Sequence, residues 1–325
     1  MDKVGPNTPK KQHYVPQLLL KNFSYGNKHK IFCFVKSNDR IFPTNVIDSA
    51  SENGFYNLQI DSEKYTLEHE LCKLEGTYAP VVQKICEKES LEGITREERH
   101  VLCNFVANLL LRVKKQRAFF DQLNTSMTEW LQDMGFKPNE VQNFETLGQE
   151  DIEKQHIEFI TNERVFELSK RFYDKPIALL KAPNGSYFVI SDSPVAMYNH
   201  FGGDKGISVS GVEIQVPLSK KLCLSFVCPQ LYSSLDEQLH FINRRRAQNI
   251  PIENINTTYA EVLISSIKER KAIEVNSENV NFINSLQIIN SLNFIYSNKN
   301  DFKLAKEMLK KNPDLKNGRV MWMGI

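Results

Sequence analysis

VLCNFVANLLLRVKKQ, residues 101–116, lies inside a longer stretch from Glu97 to Phe120 that reads as one helix. Its apolar residues (Val101, Leu102, Cys103, Phe105, Val106, Ala107, Leu109, Leu110, Leu111, Val113) run almost all the way round, which marks a central, buried helix rather than a surface one. Asn104, Asn108 and Arg112 interrupt it at i, i+4 and i+8, so they form one polar stripe along an otherwise apolar rod. Buried amides and a buried guanidinium need partners, since each unpaired buried polar group costs on the order of 1–3 kcal/mol and a lone charge more. Other segments must supply acceptors to this stripe.

On either side of that helix the chain divides by periodicity. Residues 1–11 are polar and proline-bearing and read as a flexible arm, and QHYVPQLLLKNF (12–23) follows as an extended lead-in to a short helix with Pro16 at its start. His13 therefore sits on irregular backbone, as a cap for the next helix or as a site residue. KIFCFV (30–35) and RIFPTNVI (40–47) read as an N-terminal hairpin. From Tyr65 to Glu89 the pattern is helical, with Leu67, Leu71, Leu74, Tyr78, Val81 and Ile85 inward and Pro80 as a kink. Glu68 and Glu75 share a face beside that stripe, as boundary residues or as ligands. Thr95 and Glu98 form a capping box for the central helix.

Beyond the central helix come amphipathic helices to about Lys175, with His156 on a charged, solvated face. The period then changes to strand. Ile177–Lys181 and Tyr187–Ile190 flank the turn Pro183-Asn184-Gly185-Ser186 as a hairpin, and EIQVPLSKKLCLSFV (213–227) supplies two further strands. Asp192 ends a strand just before Pro194, where it is either an Asx-turn or a carboxylate presented to a site. The fold expected is α+β: a mainly helical body around a buried central helix, with a small antiparallel β-sheet and an N-terminal hairpin. Residues 12–275 are read as a single α+β domain and 276–325 as a C-terminal helical extension packed on it.

Bulk properties exclude some classes. Lys+Arg 41 against Asp+Glu 39 gives a net charge of +2, too near balance for a polyanion partner to be argued from composition. The six cysteines form no CxxC pair, and with no signal peptide at the start the expected compartment is a reducing cytoplasm. No run approaches the ~18–20 apolar residues of a membrane span, so no membrane is expected.

KKQHYVPQLLLKNFS (10–24), ENGFYN (52–57), the Glu-bearing helix, FVANLLLR (105–112), FVISDSPV (188–195) and VPLSKKLCL (216–224) stand in an order that resembles a bacterial and phage family catalogued as domain of unknown function 4238. The resemblance spans roughly Lys10 to Val227, with the opening and the Ser-Asp-x-Pro signature its most specific parts. It implies that Gln12, His13, Glu68, Glu75, Arg112, Ser191, Asp192 and Pro194 form a polar set, and it carries no established reaction. The chain departs from the family's Arg-Thr-Pro end of the central helix: Arg112-Val113-Lys114 lets the helix continue.

These residue types suit a metal-assisted phosphodiester hydrolase, a nuclease-type toxin or effector of a bacterial defence system acting on RNA or DNA. In that reading His13, Arg112 and Asp192 are catalytic, Gln12, Asn108 and Ser191 bind substrate, and Glu75, Asp192 and Glu68 hold Mg²⁺ or Mn²⁺. The alternative is a non-catalytic binding or regulatory module, with a protein partner or as an oligomer, whose polar cluster is a structural network.

Overall fold

In the computed structural model, which describes residues 1–141, 144–251 and 256–318, the chain opens with β1 (Asp2–Lys3), β2 (Lys11–His13), α1 (Gln17–Leu20), β3 (Lys30–Val35) and β4 (Arg40–Asn45). There follow β5 (Ser51–Asn53), β6 (Asn57–Ile60), β7 (Glu63–Thr66) and five helices: α2 (Glu68–Lys88), α3 (Arg96–Leu111), α4 (Lys114–Asp133), α5 (Gln149–Phe159) and α6 (Asn162–Tyr173). Next come β8 (Ile177–Lys181), β9 (Ile190–Ser191), β10 (Ala196–Asn199), β11 (Val212–Pro217) and β12 (Leu222–Val227). The chain continues through α7 (Pro229–Ala247), α8 (Thr258–Glu269), β13 (Ala272–Glu274), α9 (Ser277–Asn290), β14 (Phe294–Ser297) and α10 (Lys303–Lys311).

The central helix is α3, capped by Thr95 and Glu98 as a full capping box and buried along most of its length. It does not run to Phe120. Val113 turns extended (φ −74°, ψ 153°) and α4 restarts at Lys114, so the expected single helix is two. The reason lies in the carbonyls at the end of α3, which side chains claim before a continuing helix can. Gln116 Nε2 donates to Leu110 O at 3.3 Å, His156 Nε2 to Leu111 O at 3.0 Å, and Tyr56 Oη to Arg112 O at 2.9 Å. The Val-for-Thr and Lys-for-Pro departure therefore leaves the break in place.

The class is α+β, but the sheet is not small. Among the described residues fourteen strands make four sheets, ordered β10-β11-β12-β8-β13, β4-β3-β14-β9, β1-β7-β6 and β2-β5. The β3/β4 and β11/β12 hairpins form as their local patterns require. The hairpin expected across Pro183–Ser186 does not. Its turn closes (Ser186 N to Pro183 O, 3.1 Å), yet β8 pairs with β12 and, in parallel, with β13, while β9 pairs with β14. Asn284 of α9 takes the place of a neighbouring strand: its Oδ1 accepts from Val189 N at 2.9 Å and its Nδ2 donates to Tyr187 O at 3.0 Å.

The stretch from residue 276 contributes to the interior. β14 lies between β3 and β9, and Phe34, Val189, Ile288, Ile295, Phe302, Ala305 and Leu309 pack into one cluster beneath α9 and α10. The last residues of that stretch, 319–325, lie outside the described residues. At the other end of the chain, β1 pairs with β7.

Candidate functional site

Arg112 ends α3 and is 1% exposed. A guanidinium this deep needs acceptors around its fork, and three segments converge to give them. Nη1 donates to Glu75 Oε1 of α2 at 2.8 Å, Nη2 to the main-chain carbonyl of His13 at 2.6 Å, and Nε to Tyr56 Oη at 3.2 Å. Burial works against the charge, and Tyr56 and Glu75 beside it more than offset that, raising the Arg112 pKa. The same tyrosine is pushed up to about 12 by burial. The two amides of the stripe diverge: Asn104 accepts from Tyr78 Oη at 2.5 Å, while Asn108 Nδ2, buried, has no partner.

Gln12 fastens the lead-in. Its Oε1 accepts from Tyr56 N at 2.5 Å and its Nε2 donates to Asn57 Oδ1 at 2.8 Å, fully inside the protein. It holds the backbone rather than facing solvent. Next to it, His13 is buried with Nε2 unpartnered, and burial first and Arg112 among the rest lower its pKa, against Glu75 and the Val46 and Ile47 main chain. Glu68 at the start of α2 is buried too. Its Oε2 is unpartnered, its Oε1 meets only Cys72 Sγ at 3.7 Å, and burial pushes its pKa to about 7 despite the pull of Arg112. Two unpartnered buried polar atoms thus lie on residues coupled to the Arg112 guanidinium and a third, Asn108 Nδ2, one helical turn before it, and such atoms call for an explanation.

Asp192 and Ser191 belong to a different constellation. Asp192 Oδ1 accepts from Leu292 N at 2.8 Å, and Oδ2 from Asn293 N and Phe294 N at 2.7 and 2.8 Å. The carboxylate thereby organises the turn that leads from α9 into β14. Ser191 donates its N–H and Oγ to Gln287 Oε1 at 3.2 and 2.9 Å, and Gln287 Nε2 donates to Pro194 O at 2.8 Å. Burial raises the Asp192 pKa against those three amides and Lys36. Around it, Lys36 Nζ donates to the carbonyls of Ile288 and Ser291 (3.0 and 2.8 Å) and Lys115 Nζ to Asn290 O and Oδ1 (2.9 and 2.7 Å). Burial lowers both lysines to about 8, while Asp192 works the other way.

The side chains of the expected site hydrogen-bond to two different sets of partners. Arg112 binds Glu75, Tyr56 and the His13 main chain, with Gln12 on the Tyr56 N–H and Glu68 within electrostatic reach, while Ser191 and Asp192 clasp the α9–β14 junction. Of the expected metal donors, the oxygens of Asp192 are taken by amides and Glu75 is on Arg112, and among the described residues no group of three or more His, Cys, Asp or Glu side chains could hold a metal ion. His156, expected on a solvated face, is fully buried. It sits between Leu111 O and Arg117 Nε (3.4 Å), and burial and Arg117 lower its pKa to about 3. Tyr56, Lys36 and Lys115 were not singled out from the sequence. Tyr56 stands in the ENGFYN motif, where a signal was present; the lysines look like surface residues until α9 is placed.

The chain is thus an α+β protein with one buried arginine-centred network and one aspartate-centred clasp. Residues 11–301 match the profile of the family described as protein of unknown function (DUF4238), and the chain belongs to that family. No curated protein and no solved structure matches it. Among the described residues no helix is long and apolar enough to cross a membrane.

Proposed function

We propose that this chain is a phosphodiester hydrolase working by general acid–base chemistry at the Arg112 network. The observation that carries this reading is the set of unpartnered atoms, His13 Nε2, Glu68 Oε2 and Asn108 Nδ2, on residues around Arg112. A neutral imidazole with a free nitrogen accepts a proton from water, and a carboxyl held to about 7 keeps one to give to the leaving oxygen. Water attacks phosphorus as its proton passes to His13, the ester P–O bond breaks, and the leaving oxygen takes the Glu68 proton. Arg112 and Asn108 meet the charge on the non-bridging oxygens. Glu75, 23% exposed, marks the side from which substrate reaches the cluster. RNA or DNA is the proposed substrate, and a nuclease-type toxin or effector in the cytoplasm the proposed setting; six free cysteines agree with a reducing compartment.

A second reading, the binding or regulatory module, is favoured by the burial of Arg112, whose three partners lie on three segments and leave it 1% exposed. Labelled RNA and DNA, incubated with the protein with and without Mg²⁺ or Mn²⁺, separate the two. His13→Ala is the informative variant, because it removes the ring and keeps the carbonyl that Arg112 uses. Cleavage by wild type, lost in His13→Ala and in Glu68→Gln at unchanged folding, supports the hydrolase; no cleavage by wild type under any condition sinks it.

A further inference from the structure

In ENGFYN (52–57), Tyr56 is taken up by Arg112, but the motif's last residue, Asn57 at the start of β6, faces elsewhere. With Gly54, Lys64 of β7, and Glu153 and Lys154 of α5, it lines a groove of about 530 Å³. That volume falls in the ~300–1,000 Å³ range of ligand sites. Asn57 follows Tyr56 in the chain and its partner Gln12 precedes His13, so the groove and the Arg112 cluster are built on the same two stretches of backbone.

Two side chains reach the groove with their polarity already fixed. The Tyr56 N–H can only donate, so the buried Gln12 amide turns its oxygen to it (2.5 Å) and its NH₂ toward Asn57 Oδ1 (2.8 Å) and Pro9 O (3.4 Å). Asn57 must then present its own NH₂ to the groove. Gly54 (φ +65°) makes room for it, since a Cβ there would stand 2.9 Å from Asn57 Nδ2. From α5, Glu153 Oε1 lies 3.5 Å from both Arg117 Nη1 and Gln149 Nε2, which leaves Oε2 as an acceptor. Arg117 is itself fastened to Phe55 O and lies 3.8 Å over the Phe55 ring.

A hydroxyl turns to suit whichever partner it meets, so one preset donor and one preset acceptor select a ligand whose own donor and acceptor are fixed. A lactam, a ring C=O beside a ring N–H, is such a group. Guanine, uracil and thymine carry it, whereas adenine and cytosine have a bare ring nitrogen there. Lys64 and Lys154, both exposed at the rim, suit the phosphate attached to such a base. We propose, resting on the hydrolase reading in which RNA or DNA is the substrate, that this groove reads the lactam edge of an unpaired base, with Asn57 donating to its C=O and Glu153 accepting from its N–H.

Nucleoside monophosphates carry no phosphodiester, so their binding to the full chain, followed by calorimetry, is independent of hydrolysis. GMP and UMP should bind roughly tenfold or more tighter than AMP and CMP. Asn57→Asp keeps an acceptor for Gln12 but replaces the donor, and Glu153→Gln keeps an oxygen for Arg117 but turns an NH₂ to the groove. Each should erase the preference while the far-ultraviolet dichroism stays unchanged. Lys64→Ala with Lys154→Ala should weaken all four nucleotides alike and keep it. Equal binding of the four, no binding of any, or a preference that survives either Asn57→Asp or Glu153→Gln overturns the proposal. N-acetylglutamine amide binding as tightly as UMP assigns the groove to peptide amides and also overturns it. Selective binding without cleavage of any oligonucleotide upholds the groove and sinks the hydrolase reading; cleavage with unselective binding does the reverse.

Discussion

Arg112 Nη2 donates to the main-chain carbonyl of His13, not to its ring, at 2.6 Å. The contact ties the start of the chain to the end of the central helix through an atom that every residue possesses. It therefore leaves the imidazole outside the structural bond, and the hold of residue 13 on the fold and its proposed role in chemistry can be varied one at a time.

Arg112→Met removes the common donor of Glu75, Tyr56 Oη and His13 O. With one partner of a buried pair gone, the expected loss is roughly 3–5 kcal/mol in urea unfolding. Arg112→Lys should recover only part of it, because an ammonium cannot span three acceptors set around a planar fork.

Asp192→Asn should lower the melting temperature. An amide offers one acceptor oxygen where the carboxylate uses two on Leu292, Asn293 and Phe294, and its NH₂ would face main-chain donors. Bonds to a charged group contribute about 1.5–3 kcal/mol each, so a net loss of about 2–3 kcal/mol is expected by denaturant titration. A melting temperature that holds or rises would show the three amide contacts to be dispensable.

Glu68 gives stability a downward slope with pH. Its folded pKa, about 7, lies above the ordinary value of 4.5, so the folded state holds its proton more tightly. That contribution is complete below about 4.5 and is lost as pH rises to about 7, to the extent of roughly 3 kcal/mol. Glu68→Gln should remove the slope and stabilise the protein at pH 8. For the proposed hydrolysis the same values place the optimum between the lowered His13 pKa and about 7, and Glu68→Gln should abolish turnover even where it stabilises.

His156 acts in the opposite sense. Held near 3 in the folded protein against 6.5 outside it, the ring takes up fewer protons folded than unfolded. Stability should fall as pH drops from about 6.5 toward 3, by on the order of 5 kcal/mol. In His156→Leu the melting temperature should start lower, with Leu111 O left unpaired, and should change less across that interval.

What the sequence discloses and what it hides follow from range. The 3.6-residue period exposes α3, and the four-residue spacing of Asn104, Asn108 and Arg112 announces that partners must come. Hairpins such as β3/β4 and β11/β12 are local and equally legible. The hidden features join distant residues. Asp192 meets amides a hundred positions later, β14 inserts between β3 and β9, and the end of α3 is decided by Tyr56, Gln116 and His156 together. His156 has Glu153, Lys154 and Glu158 near it in sequence, so its face reads as charged, and the carbonyl that draws it inward belongs to another helix. The polar set, one group in sequence logic, falls into two sets of hydrogen-bond partners because both halves satisfy main-chain atoms, which no residue pattern displays.

The break at Arg112–Val113 makes α4 a lever. Twenty residues long at 1.5 Å per residue, it reaches about 30 Å from its fulcrum, so a tilt of about 10° moves its tip by about 5 Å and its root by far less. Lys115, Gln116 and Arg117 pin that root on Asn290, Leu110 and Phe55. Asn124, bonded to the main chain of Leu147, braces the helix midway, so a displacement of its tip is shared between that contact and the residues that hold the end of α3 in place.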